Sequence, residues 1–178
     1  AVHHSNKATW ISNSEAGLIR IDTYGVHNID IPEAFSEVKI KSITSDKNGN
    51  IWAGSDGRGM LFKGKIIRDS IAIDTIKNKV VTFPKEIEIT KVLNTDNGFP
   101  FDWIRKIQVT SDAIYAATYS SGIVKFNYNP KTDSLQVFKT FTTAEGIADL
   151  YIKDMVKDEG NRLWYATKNG HLGFVLGL

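Results

Sequence analysis

The chain contains no cysteine in its 178 residues. That excludes disulfides and thiol catalysis, and it suits a periplasmic or a cytoplasmic home equally. No apolar stretch approaches the roughly 18 residues of a spanning helix, so this segment offers no membrane contact. No signal-peptide pattern is visible, as expected of a mature or internal segment. A net charge of +2 with no basic run longer than two residues gives nucleic acid nothing to bind. The four histidines (His3, His4, His27 and His171) fall in no H-x-x-x-H or H-x-x-E-H pattern, and no G-x-S-x-G occurs. No carboxylate cluster repeats with metal-ligand spacing, so neither catalysis nor a metal or cofactor is expected. His3-His4 reads as flexible tail.

What the chain does have is a repeat. An aromatic is followed six or seven residues on by a glycine that opens an apolar run: Trp10 to Gly17, Trp52 to Gly59, Tyr115 to Gly122 and Trp164 to Gly170. The aromatics lie 42, 63 and 49 residues apart, spacings that suit propeller blades. Upstream of Trp52, Val38, Ile40 and Ile43 lead to Asp46 and then Asn48-Gly49. Upstream of Trp164, Ile152 and Met155 lead to Asp158 and Gly160. Asn-Gly between two apolar runs signals a type I′ hairpin turn, whose two central residues need positive φ. Asp46 and Asp158 read as turn residues that bond backbone N–H groups nearby. Two further segments, 94–104 and 142–152, match each other, with six residues from Gly98 to Ile104 and from Gly146 to Ile152.

These features predict an all-β chain of about four four-stranded antiparallel propeller blades, an incomplete ring or part of a larger one. The approximate units are 1–35, 36–97, 98–145 and 146–178. The first is expected to lack its inner strand and the last its outer one. The recurrent Trp/Tyr is expected to fill the space between adjacent blades. An insert at about 64–86 predicts an extra hairpin or a lengthened pair of strands.

Segment 38–62 resembles the repeat of the two-component regulator propeller family through Ile43, Asp46, Gly49, Ile51, Trp52, Gly54, Gly59 and Leu61. Segment 146–174 resembles it through Gly146, Ile152, Met155, Asp158, Gly160, Leu163, Trp164, Thr167 and Gly170. Segment 98–126 is weaker, with no D-x-x-G turn and Tyr115 for Trp. The first segment keeps only Trp10, Gly17 and Leu18. The resemblance implies a periplasmic sensor propeller of a hybrid two-component protein, of the kind that responds to glycan-derived ligands in gut Bacteroidetes. It also implies partners: the remaining blades and the signalling domains of a larger protein. A homodimer that pairs two chains into one ring is a further expectation.

In a four-stranded blade, the turn between second and third strands and the blade-to-blade connection emerge on one face of the disc. That face is expected to collect Arg58, Tyr119, Lys168 and His171 from turns, and Asp102, Trp103 and Tyr151 from connections. Arg105 follows on the inner strand and is expected to line the central channel. Exposed aromatics beside hydrogen-bonding groups suit an oligosaccharide or another small molecule. Two alternatives stand beside ligand sensing. One is a structural or dimerisation scaffold. The other is an enzyme similar to the streptogramin-inactivating lyases, which would depend on His171.

Overall fold

The computed structural model describes residues 1–178 except 6–7, 14–16, 36–37, 57–60, 75–78, 100–102, 111–112 and 177–178. Of residues 13, 34, 61, 66–74, 79–85 and 97, only the backbone is described.

Fifteen strands among these residues form four antiparallel sheets, each built from consecutive strands. The first holds β1 (Val2–His4), β2 (Thr9–Asn13), β3 (Gly17–Asp22) and β4 (Gly25–Ile29). The second holds β5 (Lys39–Ser45), β6 (Ile51–Asp56), β7 (Leu61–Asp74) and β8 (Lys79–Leu93). The third holds β9 (Ile104–Val109), β10 (Ala113–Thr118), β11 (Ile123–Asn129) and β12 (Ser134–Phe141). The fourth holds β13 (Ile152–Lys157), β14 (Leu163–Thr167) and β15 (Leu172–Val175).

Two expectations change at the first sheet. It has an inner strand, Val2–His4, and His3-His4 is no loose tail. His3 pairs with Trp10 across the ladder, and its Nε2 lies 2.9 Å from Ser45 Oγ of the second sheet. A three-residue strand is too short for any side-chain alternation to show, so only its pairing partner reveals it. The 64–86 region resolves as a lengthened pair of strands, since β7 and β8 stay paired out to Asp74 and Lys79.

The Asp46 turn also differs from expectation. Of its central residues only Gly49 takes positive φ (82°), and the Gly49 N–H donates to Asp46 O. In the fourth sheet the left-handed position falls on Asn161 (φ 60°), not on Gly160. Asp46 Oδ1 accepts from the N–H groups of Asn48 and Asn50, while Oδ2 accepts from Trp52 Nε1 at 3.1 Å. Asp158 repeats this with Trp164 Nε1 at 2.8 Å. One carboxylate thus closes the turn and fixes the aromatic six residues on. Near Trp10 and Tyr115, where no such Asp precedes, hydroxyls close the turn instead: Ser5 bonds Ala8, and Thr110 bonds Ala113.

The sheets stack in chain order through three apolar clusters. Trp10, Leu18 and Ile29 meet Ile40, Ile43 and Ile51. Trp52 meets Ile104, Ile107 and Ile114. Tyr115 and Ile123 meet Ile152, Met155 and Leu163. Three of the four repeat aromatics therefore lie between blades. The fourth, Trp164, is half-buried on the outward face of the last sheet, because among the described residues no following sheet covers it.

A cation accompanies each enclosed aromatic. Trp10, Tyr115 and Trp52 pair across the ladder with Arg20, Lys125 and Lys63, whose charges lie 5.7 to 5.9 Å from the rings. In the fourth sheet Phe174 takes the cross-strand place, and Arg162 lies over both rings.

Candidate ligand-binding surface

Two connections deliver side chains to one face of the disc by the same device. After Thr95–Asn97, the Phe99 N–H donates to Asn94 O; after Thr143–Glu145, the Ile147 N–H donates to Thr142 O. Phe99 and Ile147 are buried as anchors between sheets. The second turn carries a capping box between Thr142 and Glu145. Each connection then meets the neighbouring second-to-third turn by one backbone bond. The Tyr119 N–H donates to Trp103 O at 3.1 Å, and the Lys168 N–H donates to Tyr151 O at 3.0 Å. The Tyr151 N–H in turn reaches Asp149 Oδ1, which orients the residue.

The result is a continuous aromatic group spanning two blades. Trp103 lies edge-on to Tyr119, with centroids 4.7 Å apart, and Tyr119 to Tyr151 is 4.2 Å. Arg105 sits among all three, its guanidinium carbon 5.9, 5.2 and 5.5 Å from the rings of Trp103, Tyr119 and Tyr151. The Nζ atoms of Lys153 and Lys168 each lie 5.2 Å from the Tyr151 ring. Asp56, at the end of β6, faces Arg105 at 3.6 Å and Lys41 at 3.7 Å. Arg105 Nε and Asp56 Oδ1 are both buried, with no hydrogen-bond partner among the described residues. Trp103 remains 39% exposed.

Five of the expected site residues, Trp103, Arg105, Tyr119, Tyr151 and Lys168, are therefore brought together. Arg58 and Asp102 lie outside the described residues. His171 is exposed, and among the described residues its bonds are those of its backbone with Thr167. Arg105, expected to line the channel, is held among the three rings and faces the Asp56 carboxylate. Lys41 and Lys153 were not legible as members, because a lysine on an inner strand carries no motif of its own. Their signal was register, since Lys153 follows Ile152 as Arg105 follows Ile104.

Chemically, the surface offers cationic donors, flat apolar faces and the carboxylates of Asp56 and Asp149. A guanidinium flanked by rings suits an anionic or hydroxyl-rich group that docks edge-on. Among the described residues, no group of three or more His, Asp or Glu is placed to hold a metal ion.

Four-stranded antiparallel sheets stacked in chain order define a β-propeller segment. Residues 34–57 match the family model of the two component regulator propeller. No curated protein matches the chain. Among solved structures, the extracellular domain of a putative one-component system from B. thetaiotaomicron is similar, with a TM-score of 0.64 at 17% identity over 93% of this chain. The chain spans only 21% of that structure's length. The extracellular domain of a putative hybrid two-component system from the same organism gives a TM-score of 0.45 at 17% identity, covering 97% of this chain and 28% of that one. Virginiamycin B lyase from Staphylococcus aureus gives 0.46 at 14%, covering 98% and 68%. At these identities the likeness is one of fold. Among the described residues no helix is long and apolar enough to cross a membrane.

Proposed function

We propose that this chain is a ligand-recognising segment of a periplasmic sensor propeller in a hybrid two-component signalling protein, with no catalytic role. A glycan-derived ligand would seat on the face made by Trp103, Tyr119 and Tyr151 and take hydrogen bonds from Arg105 and Lys168. The observation that carries this reading is the Arg105 guanidinium held among three rings that two blades supply. A ligand that bridges the two would favour one setting of the blades over others, and such a difference in affinity is what transmits a signal.

Support comes from the family match at 34–57 and from the likeness of the fold to an extracellular domain. The test is glycan-array and calorimetric binding, with Trp103→Ala as the control. Saturable binding that weakens at least tenfold in Trp103→Ala supports the reading; no saturable binding to any glycan removes it. A lyase would instead show turnover lost in His171→Ala, an outcome that the exposed, backbone-bonded place of His171 does not favour.

A further inference from the structure

The aromatic face gathers more positive charge than its described carboxylates balance. Three cations converge on the Tyr151 ring: Lys153 Nζ and Lys168 Nζ at 5.2 Å each, and the Arg105 guanidinium carbon at 5.5 Å. Arg105 stands on β9, Lys153 on β13, and Lys168 in the turn after β14. The ring attracts each of them weakly, while the three charges repel one another.

The carboxylates in reach are committed elsewhere. Asp56 is shared between Arg105 at 3.6 Å and Lys41 at 3.7 Å. Both distances exceed the roughly 2.7–2.9 Å of a charge-assisted hydrogen bond. Asp149 accepts from Asn169 Nδ2 at 2.7 Å and from the Tyr151 N–H. Asp154, next to Lys153 in the chain, pairs with Lys106 at 3.2 Å. Among the described residues, no carboxylate lies within ion-pair distance of Lys153 or Lys168, and the buried Arg105 Nε has no acceptor. A buried donor without an acceptor calls for a functional explanation. Both lysines are exposed, so their charges are open to a ligand.

We propose that the ligand of this face is an acidic glycan, an oligosaccharide bearing a carboxylate or a sulfate group. The anionic group seats beside Tyr151 on Lys153, Lys168 and the Arg105 guanidinium, while the sugar rings lie on Trp103 and Tyr119. This rests on the ligand-seating reading above, to which it adds the charge of the ligand and one contact residue, Lys153. The planar guanidinium matches either group, and the two ammonium groups act as point charges. A free inorganic anion would use the cations alone and leave the exposed Trp103 without a role. Arg105 belongs to the third sheet and both lysines to the fourth, so one bound anion spans the junction between them.

The experiment is a glycan array of uronate-bearing, sulfated and neutral oligosaccharides, probed with the full-length protein. Calorimetry then compares each binder with its carboxyl-reduced or desulfated form. Binders are expected among the acidic members, and removal of the anionic group weakens binding at least tenfold. The uronate and sulfate arms show which group is recognised. Lys153→Gln and Lys168→Gln should each weaken the acidic ligand about three- to tenfold, as for a charge-assisted bond at an exposed site. Neither should alter the residual affinity for the neutralised form. Circular dichroism confirms that both variants are folded. Saturable binding of neutral glycans that an added acidic group does not improve overturns this proposal and leaves the ligand-seating reading intact. No saturable binding to any glycan removes both. An unchanged affinity in the double variant Lys153→Gln/Lys168→Gln overturns the proposal, as does a pentaglutamate peptide bound as tightly as the acidic glycan.

Discussion

Trp52 and Trp164 occupy the same place in two copies of one motif, yet one is enclosed and the other is not. Both lie on the second strand of a sheet, and both donate the indole N–H to an Asp six residues earlier. Trp52 is 0% exposed. Ile104 and Ile107 cover it, and Tyr128 meets it edge-on at 5.2 Å. Lys63, over the same ring, reaches Asp133 of the third sheet at 2.6 Å, and Tyr128 OH donates to that carboxylate as well. Burial alone would lower the Lys63 pKa, but these bonds with Asp133 and Tyr128 leave it raised. Among the described residues, the rings and cations that meet Trp164 are Phe174, 5.0 Å away, and the Arg162 guanidinium. The motif therefore fixes where the ring stands, and the neighbouring blade fixes what that position is worth.

The strongest way to break this comparison is to delete both rings. Trp52→Ala should cost about 3–5 kcal/mol, the range for an aromatic lost from a filled core. Trp164→Ala should cost about 1 kcal/mol, close to the worth of an aromatic pair at a surface. Urea unfolding monitored by far-ultraviolet circular dichroism reads both, and equal losses would refute the distinction.

A smaller effect sharpens it. Two residues after Trp52 stands Gly54, where an added Cβ would fall 2.5 Å from Ile104 Cγ2 and 2.9 Å from its Cβ. Two residues after Trp164 the chain already carries Ala166, half-buried. Gly54→Ala should therefore cost about 1–3 kcal/mol through overpacking of the junction. Ala166→Gly should cost only about 0.5–1 kcal/mol, the backbone term for a glycine in a strand. The same unfolding assay decides, and a neutral Gly54→Ala would mean the sheets are less closely seated.

Much of this was legible from residue order because blades repeat local instructions. The Trp-to-Gly spacing located the second and third strands of every sheet, and the Gly98 and Gly146 segments located the connections. Trp103 and Tyr151 were legible as members of one face because both precede the inner-strand isoleucine. The Asp-to-indole bond was not, since a turn residue's second oxygen has no signature in a turn pattern. Nor was the cation paired with each enclosed aromatic, although residues 10 and 20, 52 and 63, and 115 and 125 repeat it at nearly constant spacing. Val2–His4 escaped notice because three residues carry no period. The exposure of Trp164 lay beyond any motif, because burial depends on a neighbour and not on the strand itself.

The smallest expected effect isolates the part of the motif that needs no neighbour. The Trp164 indole, then the Arg162 N–H and guanidinium, hold the Asp158 carboxyl down at about 2, below its ordinary 3.8. A depressed folded value means the interaction contributes fully above the ordinary pKa and is lost as pH falls through the folded one. The window is thus from about pH 4 down to about 2. Because Asp158 faces solvent, its loss should loosen the ring without unfolding the sheet. Proton NMR of the Trp164 indole N–H should show a transition with its midpoint near 2, and Asp158→Asn should abolish it. A midpoint near 4 would mean that the indole bond is not made in solution. The Asp158 carboxylate would then not place the ring, and the separation of position from worth drawn from Trp52 and Trp164 would fail.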